Sequence, residues 1–297
     1  MATDPARHGR FRLALLPVVV LAVLVAEIAL AGDRRAAAGG RWGSEVVPAV
    51  VAAYGQVGTL AVAVARQQQD PAGKPVRGYE ARRARAAGWS ADNGAAAARP
   101  FPTASMVKLF MAEDILHRAR TGAVSLTTDD VWRLREMIRS SDDPAASALW
   151  VQFGGTRMVT DVAARYGLRG TAPPQVAGQW GQATTTARDL ARFLSLLAVV
   201  AHPDDAAALL GWMREATPVA ADGFDQQFGM FGAAPPRTAV KQGWMCCVGG
   251  NRHLHSVAIV GHRVIVLLSE VPRSVGYAAA SAALDAAAAA VPPSRHP

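Results

Sequence analysis

A serine followed three residues later by a lysine can perform nucleophilic chemistry, and the sequence holds such a pair in Ser105-Met106-Val107-Lys108, at the start of a helical run. Side chains at positions i and i+3 share a helix face, which directs the lysine amine back toward the serine hydroxyl. An uncharged amine there takes the hydroxyl proton and generates a nucleophile. Backbone N–H groups and the dipole at a helix amino terminus would hold a developing oxyanion. The plainer alternative is a surface serine capping a helix that carries an ordinary lysine, and the spacing alone leaves both open. Two further stretches stand out: Ser140-Ser141-Asp142-Asp143-Pro144, a break between two apolar segments, and Lys241-Gln242-Gly243, which continues the apolar Thr238-Ala239-Val240 into strand-like sequence. Lysine is scarce here, for among 31 basic residues only Lys74, Lys108 and Lys241 are lysines. Arginine stays charged in proteins whereas a desolvated lysine can lose its proton, so each of these lysines merits inspection.

The elements that would position these residues are legible in outline. Ser44 can cap a helix running to about Tyr54, and Thr59 to Arg66 is rich in Val and Leu like a half-buried strand. Gln67 to Pro102 reads as a loosely patterned hairpin region with turn signals at Asp70-Pro71, Gly73 and Asn93-Gly94. Helical patterns follow over Ala104 to Thr121, Thr128 to Arg139, Pro144 to Phe153, Arg157 to Tyr166, Thr186 to Val200 and Asp204 to Ala216. Strands return at His253 to Val260 and Arg263 to Ser269 around a Gly261-His262 turn, and an alanine-rich helix spans about Ser274 to Ala290. Strands at both ends with a helical middle imply an α/β fold, of the α+β kind, with an all-helical subdomain.

The 297 residues are enough to bury a full core without disulfide staples, and 51% hydrophobic with 18% charged residues marks a globular chain. The net charge of +8 could suit nucleic acid, yet the arginines are scattered and form no basic run, so no nucleic-acid partner is expected. Arg7, Arg10 and Arg12 precede the apolar stretch Leu13 to Ala26, with small residues at Ala29 and Ala31. Residues 1–31 therefore read as a signal peptide or an uncleaved membrane anchor, 32–43 as a tether, 44–290 as the folded domain and 291–297 as a disordered tail. The expectation is an exported monomer at the cell envelope, where its charge suits acidic wall polymers. No cysteine lies near the cleavage site to carry a lipid. Cys246 and Cys247, with His253 and His255 nearby, lack the usual metal-ligand spacing; packing or a disulfide between neighbours is the expected arrangement, and neither metal nor cofactor is expected.

Taken together, the three stretches resemble the ordered motifs of the penicillin-recognising serine hydrolases, and most closely the class A β-lactamase family, with its S-x-x-K, S-D-N and K-[ST]-G. Two flanking segments extend the likeness: Met137 to Ala146 around the second motif, and Ala183-Thr184-Thr185-Thr186-Ala187-Arg188-Asp189-Leu190 after the family's omega loop. The resemblance covers about Ser44 to Ala290. It implies a five-stranded antiparallel sheet with terminal helices on one face and a helical domain on the other. It also implies Ser105 as the acylated nucleophile, Lys108 as general base and Ser141 as proton relay to the leaving nitrogen. Lys241 would bind a substrate carboxylate and help depress the pKa of Lys108. The oxyanion hole would be the N–H groups of Ser105 and Trp244, with Gly243 letting the strand edge approach the ligand. The implied substrate is a small molecule or a peptidoglycan peptide, attacked at a peptide, ester or β-lactam carbonyl.

Departures from the family pattern accompany the matches. Its omega-loop glutamate, which activates the deacylating water, has no counterpart here, since Gly167 to Gln182 contains no carboxylate and the nearest are Asp161 and Asp189. Gln175, Gln179 and Gln182 can orient water but cannot take its proton. Asp143 replaces an asparagine that donates to the substrate carbonyl, and Gln242 replaces a hydroxyl residue that binds its carboxylate. Both remain candidate substrate contacts, with slow β-lactam turnover expected. Trp244, Trp180 and Trp212 either line a cleft or fill the core.

Overall fold

The computed structural model describes residues 40–68 and 90–293, so the expected signal or anchor and the last residues of the tail lie outside the described part. Strand β1 (Thr59–Arg66) is apolar on both faces: Leu60, Val62 and Val64 point into one core and Ala61, Ala63 and Ala65 into another. It lies inside a five-stranded antiparallel sheet with β2 (Ser90–Asp92), β5 (Ala239–Val248), β6 (Asn251–Val260) and β7 (Arg263–Pro272), ordered β2-β1-β7-β6-β5. A separate pair joins β3 (Phe101–Pro102) to β4 (Thr184–Thr185).

The two sheet faces are covered differently. Helix α1 over 40–54 and the C-terminal helix Tyr277–Ala289 bury Val50, Tyr54, Ala280 and Leu284 against Leu254, Ile265 and Leu267. On the other face Ala187–Val200 packs its apolar side, including Leu194 and Leu197, into the larger core with Phe110 and Tyr166. The helices start where their capping residues dictate. Thr127 and Asp130 form a reciprocal capping box for Thr128–Arg139, and the Asp142 carboxylate accepts from the Ala145 N–H at 2.7 Å to open Asp143–Gln152. That second cap fixes the chain immediately after Ser141.

Three boundaries differ from the sequence expectation. The first helix begins by residue 40 and takes in the end of the expected tether, because Trp42 packs against the terminal-helix core with the Arg263 guanidinium 4.4 Å from its ring centre. Of the expected hairpin region, 69–89 with the turn signals at Asp70-Pro71 and Gly73 lies outside the described residues, and 90–102 supplies the edge strand β2, a short helix Ala95–Ala98 and β3. Asn93 holds this segment to β1, accepting from the Val62 N–H and donating to the Leu60 carbonyl. The helix expected from Ala104 is split into a 3-10 turn, Ala104–Met106, and an α-helix, Val107–Arg120. Among the described residues no helix is long and apolar enough to cross a membrane.

Candidate active site

Ser105 occupies the 3-10 turn and is 5% exposed. The residue before it, Ala104, has φ 46°, a left-handed conformation that costs a non-glycine residue about 1–2 kcal/mol and so bends the chain here more sharply than a helix start requires. The turn is anchored by the Thr103 N–H donating to the Ala183 carbonyl at 2.7 Å. Edge strand β5 presses against it: a Cβ at Gly243 would stand 3.1 Å from the Ser105 nitrogen and 3.4 Å from the Ala104 Cβ. Glycine at 243 is therefore what permits the contact. The Ser105 and Trp244 N–H groups belong to these two adjoining segments.

Lys108 is fully buried, and its amine donates to the Ser141 carbonyl at 2.7 Å, to Ser141 Oγ at 3.3 Å and to Asp143 Oδ1 at 2.5 Å. Among the described residues no hydrogen bond joins this amine to the Ser105 hydroxyl. The physical reason is competition, because three oxygens at the start of Asp143–Gln152 surround the amine and one of them is charged. Ser141, at φ 54°, sets its hydroxyl between two lysines, accepting from Lys241 Nζ at 2.7 Å as well. Lys241 also donates to the Gln242 carbonyl at 2.8 Å and is 1% exposed.

Burial is the main force on both amines. It lowers the pKa of Lys108, opposed by Asp143, Asp142 and Asp222. It drives Lys241 well below the ordinary lysine value, reinforced by repulsion from Lys108. Desolvation is thus the largest influence on Lys108 as on Lys241, which is 1% exposed. Gln242 is displaced from its expected role. Strand alternation turns it to the opposite sheet face, where it is 1% exposed and donates from Nε2 to the Phe228 carbonyl at 2.7 Å.

A cleft of about 240 Å³ opens beside Ser105, lined by Asp143, Gln179, Trp180 and Met245 among others. Trp180 places its ring centre 4.9 Å from Lys108 Nζ and donates from Nε1 to Ser147. Trp244 contributes backbone to the rim while its ring stacks on Phe224 and its Nε1 donates to Asp222 at 3.2 Å. Trp212 packs on the helical core. A larger depression of about 720 Å³ lies elsewhere, around Arg169, Arg188 and Arg192, and holds none of the motif residues. In the loop from Gly167 to Gln182, Gln179 reaches the cleft. Asp189 is committed to holding the loop's base, accepting from the Arg169 and Gly170 N–H groups and the Thr171 hydroxyl. Asp161 pairs with Arg157.

Two supports of this site carried no signal in the sequence. Asp222 lies in a stretch with no motif, yet it acts electrostatically on both lysines. His255, paired with Gly243 across the strands, holds the segment that leads into the Ser105 turn: its Nε2 hydrogen-bonds the Pro102 carbonyl at 2.8 Å while Nδ1 accepts from the Ser269 N–H. Burial depresses its pKa from 6.5 to about 3, so the unfolded chain binds the proton first. Acidification between those two values is therefore expected to destabilise the fold, by roughly 1.4 kcal/mol per pH unit at most. Denaturant unfolding at stepped pH measures this, and the acid-dependent loss should be smaller in His255→Asn. Cys246 and Cys247 are joined to each other as a disulfide near the cleft end of β5.

A profile of the β-lactamase enzyme family matches residues 90–291. LppW of Mycobacterium tuberculosis, described as a candidate lipoprotein, is 42% identical over 163 residues, covering 54% of this chain and 52% of that protein. The Mycobacterium bovis protein of the same name matches equally. The chain thus matches about half the length of these relatives. Among solved structures, a β-lactamase from Xanthomonas campestris aligns with TM-score 0.58 at 19% identity, over 82% of this chain and 96% of that one. One from Burkholderia vietnamiensis aligns with TM-score 0.60 at 18% identity, over 82% and 93%. At such identities the likeness shows a shared fold.

Proposed function

The chain belongs to the β-lactamase enzyme family, and from that premise we propose that it is an exported serine acyl-transfer enzyme whose Ser105 attacks a peptide, ester or β-lactam carbonyl. The observation that carries the reading is the hydrogen-bonded chain Lys108–Ser141–Lys241 set beneath a serine turn against which a glycine edge strand is pressed.

In this reading the Ser105 proton passes to uncharged Lys108 once its amine swings off Asp143, and Oγ bonds to the carbonyl carbon. The carbonyl oxygen takes the negative charge and is held by the N–H groups of Ser105 and Trp244. Collapse breaks the bond to the leaving nitrogen or oxygen, which receives the Ser141 proton while Lys108 returns its own to Ser141. The balance is one acylated serine, one protonated leaving group and a neutral lysine. Water must then add to the acyl carbon and surrender a proton, and no carboxylate from the 167–182 loop is there to take it. Slow release of the acyl group follows.

The amino-terminal sequence and the relatives described as candidate lipoproteins support a cell-envelope location. This chain's own cysteines are both in β5. A second reading, a binding module that keeps the cleft without turnover, is favoured by the Lys108–Asp143 pairing.

Intact-protein mass spectrometry after exposure to a penicillin, a carbapenem and an activated ester separates the two. A persistent adduct on the wild type that is absent from Ser105→Ala is the expected result; no adduct with any reagent would favour the binding module.

A further inference from the structure

We infer that the cleft selects an acyl substrate bearing a positive charge, which Asp143 recognises and which releases Lys108 by taking its place. This rests on the reading of Ser105 as the acylated residue.

Asp143 is the one side chain with a formal charge among the described residues that line the cleft. Its side chain is 56% exposed even though Oδ1 holds Lys108, so the carboxylate is open to a ligand. The site's two lysines present no charge in return: both are essentially buried and their amines are occupied by Ser141, Asp143 and the Gln242 carbonyl. Gln242, the other group that could have met an anion, faces the far side of the sheet. Asp222, tied to the Trp244 indole, adds a second negative charge near both amines. A ligand carboxylate entering here meets like charge with no available cation, whereas an ammonium finds a solvent-facing carboxylate.

The same contact bears on activation. Lys108 is faced by Asp142 and Asp143 from the start of their helix, by Asp222 and by Lys241 of β5. Asp143 holds both the amine and its proton. A substrate cation at Asp143 offsets that carboxylate's charge, weakens its hold on Lys108 and leaves burial to favour the uncharged amine. The freed amine can then swing to Ser105. Substrate charge and base strength are thereby linked, each favouring the other.

The test uses three activated esters of equal length ending in a trimethylammonium, a methyl or a carboxylate group, with acylation of the full chain followed by intact mass and leaving-group release. The expected order is cationic, neutral, anionic, with a spread of roughly tenfold or more between the extremes that narrows with salt. The acid limb of the rate should lie at lower pH for the cationic than for the neutral ester. Asp143→Asn should compress the order and move the neutral ester's acid limb down. Equal rates for all three esters, or a faster anionic ester, would overturn the inference while leaving Ser105 as nucleophile. An unchanged order in Asp143→Asn would remove Asp143 from the recognition and overturn it as well. Labelling by none of the three would remove the acylation reading and this inference with it.

Discussion

Replacing Lys108 by arginine is expected to slow acylation of Ser105 by about 10²–10⁴-fold, because a guanidinium cannot accept the serine proton. The charge would be kept, so the ion pair to Asp143 and the electrostatic setting of Ser141 change less than the proton-accepting capacity does. Arginine is the bulkier side chain in a fully buried position, and overpacking of about 1–3 kcal/mol is expected in thermal unfolding. The smaller Lys108→Met removes the base without that crowding and should lose acylation to a similar degree. The measurement is the rate of adduct formation with an activated ester at fixed pH. Retained labelling in both variants, together with its loss in Lys241→Met, would move the base to Lys241, whose amine also reaches Ser141 and is pushed further down by burial.

Deacylation is the complementary case. A carboxylate introduced as Gln179→Glu is expected to raise turnover of the acyl-enzyme by about 10²-fold, the scale on which a positioned general base acts. The position matters: Gly178 also lines the cleft but has φ 78°, a conformation that strains any side-chain-bearing residue, whereas Gln179 has φ −88° and is already a side chain at the rim. The check is the lifetime of the mass-shifted adduct after excess reagent is removed, compared between wild type and Gln179→Glu. A lifetime unchanged by the substitution would locate the slow step in the geometry of the loop or in access of water, since the missing proton acceptor would then have been restored without effect.

The elements that bury apolar side chains in a regular period were legible from residues alone. Thr59 to Arg66, rich in Val and Leu, and Thr128 to Arg139, with its helical pattern, stand in the structure with the same bounds, although the strand read as half-buried is buried on both faces. Motif order points to Ser105, Lys108, Ser141 and Lys241 as neighbours; in the structure hydrogen bonds join Lys108, Ser141 and Lys241, and Ser105 lines the cleft that Asp143 shares. Side-chain direction was less accessible. The i, i+3 rule describes the helix that Lys108 sits on, while its amine answers to oxygens supplied by a different segment thirty-odd positions along the chain. Gln242 followed motif analogy in the sequence and strand alternation in the structure. Ala104 and Ser141 take left-handed backbone that neither residue type announces. The sequence marks His255 only as a histidine near two cysteines, because nothing local reveals that Pro102 lies against it.

The sheet order also dictates when the cleft beside Ser105 can exist. Strand β1 has β7 as a full-length partner, so a chain emerging amino end first must carry the apolar run Leu60 to Ala65 unsatisfied until the last strand has been delivered. Closing so long a loop is slow, and an exposed run of this composition is the kind of edge on which unfolded chains associate. Ser105 and Lys108 emerge early and the segment bearing Gly243 late, so the turn that holds Ser105 lacks its β5 neighbour for most of synthesis. The cleft beside Ser105 is therefore complete only once the carboxy-terminal strands have been made.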